Sequence, residues 1–219
     1  PNYPVRLAGE IFGRCLSYLG KKSGVRLYDP CCGGGYLLTV LGLLYPDAFA
    51  VLAGSDADEG AVILSRQNLA LLTEDGLNMR LRQLEKLYEQ MGKPSHLDAQ
   101  QSARRFLTTI RNRVDPPLLM TFQSDALCPI PSHLICPPAF PSDIVFTDVP
   151  YGDLTVWTGN VPDTSAVQQL LAALHPVLHA QSVVALSTDK AQKIQLDGYR
   201  RLERIIAGKR RIELLRPLL

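Results

Sequence analysis

Asp29-Pro30-Cys31-Cys32-Gly33-Gly34-Gly35 is the stretch on which the fold turns. It follows a short apolar run, Val25-Arg26-Leu27-Tyr28. It precedes a segment from Tyr36 to Tyr45 that is apolar nearly all round, which predicts a buried helix. Glycine lets the backbone turn sharply there and lets a ligand come close. Amides at the start of the helix then face an anionic group such as a carboxylate. A second strand is expected from Ala48 to Gly54. Ser55-Asp56-Ala57-Asp58-Glu59 leads out of it into a helix from Gly60 to Leu72, with acids suited to the first helical turn. Strand, glycine loop, helix, strand and acid form the opening of a doubly wound sheet.

Working outward, continuous apolar runs recur at Leu118 to Phe122, Asp143 to Thr147 and Ser182 to Ser187, the pattern of parallel strands buried on both faces. A helix is expected from Thr164 to Leu174. The segment from about 77 to 115 breaks the alternation: it has helical composition and is divided by Gly92-Lys93-Pro94-Ser95, with Ser95 the expected cap of the second helix. It reads as an inserted helical hairpin. Arg104 and Arg105, then Arg111 and Arg113, recur about seven residues apart, which places them along one helix side. The tail from Tyr199 to Leu219 reads as two strands around Gly208-Lys209, an antiparallel hairpin closing the sheet.

The bulk properties agree with one domain over residues 1–219. Hydrophobic residues make up 46% and charged ones 20%, as in soluble globular proteins. No apolar run of about 18 residues predicts a membrane span, and Pro1 to Arg6 lacks the pattern of a signal peptide. The five cysteines are odd in number and two are adjacent, so reduced thiols and a cytoplasmic setting are expected. Cys128, His133 and Cys136 supply three metal-type ligands in a proline-rich loop with no second pair, so no metal is expected. The net charge of +2 conceals an asymmetry: residues 80–115 hold eight basic against four acidic groups, and residues 190–219 nine against three. Two basic regions on an otherwise acidic chain suit a polyanionic partner touching part of the surface, and equally suit solvated helix faces. With no exposed heptad, a monomer is expected.

Asp56, 21 residues beyond Gly35, is placed to accept hydrogen bonds from both hydroxyls of a ribose. A nicotinamide dinucleotide would use G-x-G-x-x-G, yet the third glycine position is Leu38. Asp29 would also sit poorly beside a pyrophosphate and well beside an ammonium. These features favour S-adenosylmethionine. The expected cofactor set is Asp29, Cys31, Gly33, Gly35, Asp56 and Ala57, with Asp125 and Ala126 at the adenine; the competing reading of Asp125 is a helix N-cap. Cys31 and Cys32 read as small loop-packing residues, not covalent nucleophiles.

Asp148-Val149-Pro150-Tyr151-Gly152 follows the apolar run at Asp143 to Thr147, at the carboxyl end of a central strand where such sheets keep their ligands. The exocyclic amine of a base is a poor nucleophile, because its lone pair is delocalised into the ring. Two acceptors gripping its hydrogens, the Asp148 carboxylate and the Val149 carbonyl, would help it attack a sulfonium methyl. Pro150 fixes its own φ and so the carbonyl direction, and Tyr151 offers a stacking face for an extruded base. Catalysis would rest on proximity and polarisation rather than on a strong base. Trp157 is expected to stack on the base or to cover the site. Arg104, Arg105, Arg111, Lys209, Arg210 and Arg211 are the expected RNA contacts.

These residues resemble the class I methyltransferases. Asp29 to Gly35 is similar to their first motif, Asp-Pro-x-Cys-Gly-Ser-Gly, with Gly34 where serine is usual. Asp148 to Tyr151 is similar to the fourth motif of the amino-methyltransferases, [Asn/Asp]-x-Pro-[Tyr/Phe], with Val149 where leucine is usual. Pro4 to Glu10, Asp29 to Gly42, Asn68 to Leu72, Gly92 to Ser95 and Tyr151 through Trp157 to Pro162 resemble the avilamycin-resistance family of large-subunit ribosomal RNA methyltransferases, AviRa. The loop from Cys128 to Pro141 departs most from that family. The resemblance implies a seven-stranded doubly wound sheet, mostly parallel and Rossmann-like, with a helical insertion. It also implies S-adenosylmethionine, guanine N2 of 23S ribosomal RNA as the target, and a role in orthosomycin resistance. A carboxylate only accepts hydrogen bonds, and guanine offers adjacent N1–H and N2 donors, so Asp148 leans towards guanine. The rival readings are an adenine-N6 or protein-glutamine acceptor, a nicotinamide-dependent oxidoreductase, and a non-catalytic RNA-binding module.

Overall fold

The computed structural model describes residues 3–135, 138–149, 157, 163–192 and 194–219, with the backbone alone at 163–165. Helix α1 (Val5–Leu19) leads into β1 (Val25–Asp29), α2 (Tyr36–Leu44), β2 (Phe49–Asp56) and α3 (Glu59–Leu69). The helical hairpin follows as α4 (Glu74–Met91) and α5 (Pro94–Arg111). The remaining elements are β3 (Leu118–Gln123), β4 (Ser142–Asp148), α6 (Asp163–Leu174), β5 (Leu178–Asp189), β6 (Tyr199–Ala207) and β7 (Arg210–Pro217). The seven strands form one sheet in the order β3-β2-β1-β4-β5-β7-β6. Only β7 runs against its neighbours β5 and β6. The expected doubly wound, mostly parallel sheet is the one observed.

Alternation along the strands sorts the core into two layers. Leu27, Leu52, Ile144, Phe146, Val183 and Ile212 face one side with Ile11 and Phe12 of α1 and Leu38 and Leu41 of α2. Tyr28, Val51, Ala53, Val145, Val184 and Leu186 face the other, with Val167, Leu170 and Leu171 of α6. The central strands β1, β2, β4 and β5 are thus buried on both faces, which is why their sequences read as continuous apolar runs. The hairpin carries its own small core of Leu77, Leu81, Leu84, Ala103 and Leu107. Arg113 ties it down by donating to the Leu72 carbonyl at 3.1 Å and the Gly42 carbonyl at 2.8 Å. Arg113 is therefore a structural staple, not part of an exposed basic row.

Two local expectations change. Ser95 does not cap α5: Lys93 is the cap residue and Pro94 takes the first helical position, where its fixed φ and missing N–H cost nothing. Helix α1 lies where no element was expected, and it buries Ala8, Ile11, Phe12 and Cys15, the i, i+3, i+4, i+7 stripe of an amphipathic helix. At the end of the sheet where β4 begins, buried Asp143 accepts from the Arg26 side chain and from Lys21 Nζ. Burial alone would raise its carboxyl; these cations outweigh that and hold it at about 2.

The strand order reverses between β1 and β4. A crevice opens beyond their carboxyl ends at such a switch point, and Asp29 and Asp148 are the last residues of those two strands.

Candidate active site

The glycine loop between β1 and α2 is held by the end of β2. The Cys32 amide donates to the Ser55 carbonyl at 2.9 Å, and the Ser55 hydroxyl lies 2.7 Å from that of Tyr28. Gly33 and Gly35 adopt left-handed backbone, with φ of 50° and 72°. The two differ in their surroundings. A Cβ at Gly35 would stand 2.5 Å from Ser65 Oγ and 2.7 Å from Leu69 Cδ1, so α3 packs directly on it. A Cβ at Gly33 would meet nothing within 4 Å, so it faces the open side of the loop. The Asn68 amide clamps the loop by donating to the Gly34 carbonyl at 2.8 Å.

Asp56, at the end of β2, takes the Gly33 amide on one oxygen at 2.9 Å and the Asp58 amide on the other at 3.0 Å. A carboxylate has about four acceptor positions, so two remain for a ligand. Ala57 follows it, its carbonyl taken by Gln123 Nε2 at 2.9 Å. Asp125 accepts the Leu127 amide at 2.9 Å in a local turn, not at a helix start. Ala126 packs against the second core layer beside it. The expected cofactor residues from β1, β2 and β3 thus lie along the carboxyl edge of three adjacent strands.

Asp29 is 3% exposed, and burial pushes its carboxyl up to about 7 although the Cys31 amide donates to it at 3.1 Å. A cation arriving there would find a group poised to ionise. The Cys31 and Cys32 thiols are pushed up as well, chiefly by burial, Cys32 to about 12. Neither offers a thiolate at neutral pH, which agrees with their reading as packing residues.

Asp148 ends β4 opposite Ser187 of β5. The Ser187 hydroxyl donates to Asp148 Oδ1 at 2.8 Å, and the Ser187 carbonyl accepts the Val149 amide at 3.1 Å. Ser187 thus holds both acceptor-bearing residues of the fourth motif, a role that nothing in its sequence neighbourhood marks. Pro150 and Tyr151 lie outside the described residues. Trp157 is 6% exposed and packed in the second core layer, so its ring covers rather than presents a stacking face.

The basic residues divide into two groups. Arg104 pairs with Glu85 at 3.2 Å and Arg111 with Glu74 at 2.7 Å, all well exposed, while Arg105 and Lys209 are exposed too. Exposed pairs of this kind are worth about 0–1 kcal/mol, so Arg104 and Arg111 can exchange their acids for phosphate. Arg210 and Arg211 depart from the expected RNA contacts. Arg210 turns inward onto Asp148, with Nη2 3.2 Å from Oδ2. Arg211 donates to the carbonyls of Lys190, at 2.9 Å, and Gln192. Both forks thus donate to acceptors of the protein itself. Among the described residues no three His, Cys, Asp or Glu groups gather as a metal site, and Cys136 lies outside those residues. No helix among the described residues is long and apolar enough to cross a membrane.

Comparisons with known proteins bear on this arrangement. The family described as rRNA methyltransferase AviRa matches residues 1–210. A 23S rRNA (guanine(2535)-N(1))-methyltransferase of Streptomyces viridochromogenes is 41% identical over 218 residues, covering 99% of this chain and 85% of the relative. The 1.5 Å structure of the rRNA methyltransferase aviRa from the same organism superposes with a TM-score of 0.87 at 37% identity, covering all of this chain and 86% of that one. The putative methyltransferase yhhF of Escherichia coli shares only the fold, with a TM-score of 0.52 at 12% identity over 97% of this chain and 84% of its own. By its glycine loop, its acids at the strand ends and its likeness along nearly the whole length, the chain belongs to the AviRa family of ribosomal RNA methyltransferases.

Proposed function

We propose that this protein methylates a guanine of 23S ribosomal RNA on its Watson–Crick edge, with S-adenosylmethionine as the methyl donor. The observation that carries the reading is the Asp148 carboxylate at the end of β4, one strand from the glycine loop and fixed by Ser187. The loop and Asp56 fit the cofactor. Gly33 leaves room where a side chain would intrude, Asp56 keeps acceptors for ribose hydroxyls, and ionised Asp29 suits an ammonium. The cofactor supplies a methyl on a sulfonium, which leaves as a thioether when the bond to nitrogen forms.

Asp148 does the work on the acceptor side. It can only receive hydrogen bonds, so it selects a base edge that presents donors. Guanine presents N1–H and the N2 amine side by side. The name of the 41% identical relative favours N1 over the N2 amine read from the sequence. For N1, a bond forms to the methyl carbon while the N1–H proton passes to the acceptor holding it, Asp148, and on to solvent. The proton leaves as the methyl arrives, so the base ends neutral and positioning is the main contribution. Arg104, Arg105 and Arg111 on α5 and Lys209 at the β6–β7 turn are the proposed phosphate contacts. Protection of ribosomes against orthosomycin antibiotics is the proposed consequence.

Incubation with radiolabelled S-adenosylmethionine and 23S ribosomal RNA from cells lacking the gene, followed by nucleoside digestion, tests the reading. Label in 1-methylguanosine is the expected result. Label in N2-methylguanosine keeps the enzyme and moves the acceptor atom. Label in an adenosine product, or in protein alone, overturns the guanine assignment.

A further inference from the structure

Arg210 opens β7, directly after the turn at Gly208 and Lys209. Its Nη2 lies 3.2 Å from Asp148 Oδ2 and its Nε 3.4 Å from Oδ1. Its guanidinium also lies 5.0 Å from the ring centroid of Tyr3. The side chain is only 15% exposed, against 60% for Arg104. An arginine that reads phosphates keeps its fork towards solvent; this one is turned inward and packed between a carboxylate and an aromatic face.

We propose that Arg210 is a positioning residue for Asp148, not an RNA contact. The inference rests on the methyl-transfer reading above. A carboxylate gripped at one oxygen can still rotate about its last bond. The Ser187 hydroxyl fixes Oδ1 alone. A guanidinium meeting both oxygens sets the carboxylate plane, because its donors form a rigid planar fork. With the plane set, the one acceptor position that remains, on Oδ2, points in one direction, where a donor of a guanine edge would meet it. The ring of Tyr3 keeps the fork from swinging away. The hairpin β6–β7 thereby reaches across β5 to aim a group on β4.

Steady-state methylation of ribosomal RNA by the wild type, Arg210→Ala, Arg210→Lys, Asp148→Ala and the double variant tests this. Arg210→Ala is expected to cut kcat by roughly 10–100-fold while KM for RNA and cofactor affinity change little, because the loss falls on alignment and not on binding. Arg210→Lys recovers part of the loss. Added methylguanidinium restores Arg210→Ala in a saturable way and does nothing for Asp148→Ala. In the Asp148→Ala background, removing Arg210 has no further effect. Two results would overturn the proposal. One is a salt-dependent rise in KM for RNA at unchanged kcat, which marks a phosphate contact. The other is independent, multiplying losses in the double variant. Should Arg210→Ala fail to fold, Arg210→Gln and Arg210→Lys carry the same comparison. The base that the wild type labels reports on the guanine reading; the cycle reports on Arg210 whichever base carries the methyl.

Discussion

The Gly33 amide donates to the carboxylate of Asp56 at 2.9 Å, so the acid placed to receive the cofactor's ribose also shapes the loop placed to receive its tail. In the proposed binding mode one residue would serve both ends of the ligand. Asp56→Ala is expected to weaken S-adenosylmethionine by more than the loss of its direct hydrogen bonds, since the loop relaxes as well. Charge-assisted bonds of this kind are worth about 1.5–3 kcal/mol each, so a fall of at least about 100-fold in affinity is expected by calorimetry. A fall under tenfold would mean that the loop holds its shape without Asp56.

The two left-handed glycines separate stability from binding. Gly35→Ala sets a methyl 2.5 Å from Ser65 Oγ and 3.1 Å from the Ser65 Cα, so backbone strain of about 1–2 kcal/mol is joined by overpacking of about 1–3 kcal/mol. Gly33→Ala carries the strain alone and projects its methyl into open space. Thermal melts should show the larger loss for Gly35→Ala. Cofactor titration of the folded proteins should show the larger loss for Gly33→Ala.

Asp29 ties pH to both properties. Its folded carboxyl sits at about 7, raised by burial from an ordinary value of 3.8. A raised acid binds its proton more tightly when folded, so stability falls as pH rises from about 4 to 7, by up to about 4 kcal/mol for so buried a group. Asp29→Asn removes that cost. The variant should melt higher than the wild type at pH 8 and lose its advantage below pH 4. It should also bind S-adenosylmethionine more weakly at pH 8, and the wild type's affinity should rise between pH 6 and pH 8. A variant no more stable at pH 8 would show that the carboxylate is neutralised by other means.

Asp148→Asn replaces a pure acceptor by a group that also donates towards the base. A fall in kcat of about 100-fold or more is expected, with cofactor affinity within about twofold of wild type. Unchanged turnover would remove Asp148 from the mechanism.

On the surface, Arg105→Glu and Lys209→Glu should weaken RNA binding and reduce the slope of log affinity against log salt by about one each. Binding by filter retention at several salt concentrations separates this from a loss of folding. Slopes equal to wild type would place the RNA elsewhere.

The elements around the site were legible because each has a local signature. The glycine loop announces a sharp turn, β4 is a continuous apolar run ending in an acid, and Gly208 marks the hairpin turn. What was not legible depends on partners distant in sequence. Ser187 is an ordinary strand serine until its register with Asp148 is known. The charges of Arg210 and Arg211 are visible in the sequence, but the direction each faces is not. Trp157 is the single Trp of a loop, and its burial in the second core layer depends on residues distant in sequence. Helix α1 could have been found from the spacing of Ala8, Ile11, Phe12 and Cys15. Ser95 misled because Pro94 beside it is the stronger helix-start signal.

The reversed direction of β7 has a consequence for how the hairpin tolerates change. A parallel strand delivers its last residue to the carboxyl edge of the sheet; β7 delivers its first, Arg210, straight from the turn at Gly208 and Lys209. In an extended chain neighbouring side chains point to opposite faces, and a one-residue slip exchanges them. Arg211, which now grips the Lys190 carbonyl, would then take the place facing Asp148, and Arg210 would face away. A single inserted or deleted residue in that turn should therefore cost the aim of Asp148, whereas a substitution that keeps its length costs only the left-handed backbone of Gly208 or the charge of Lys209.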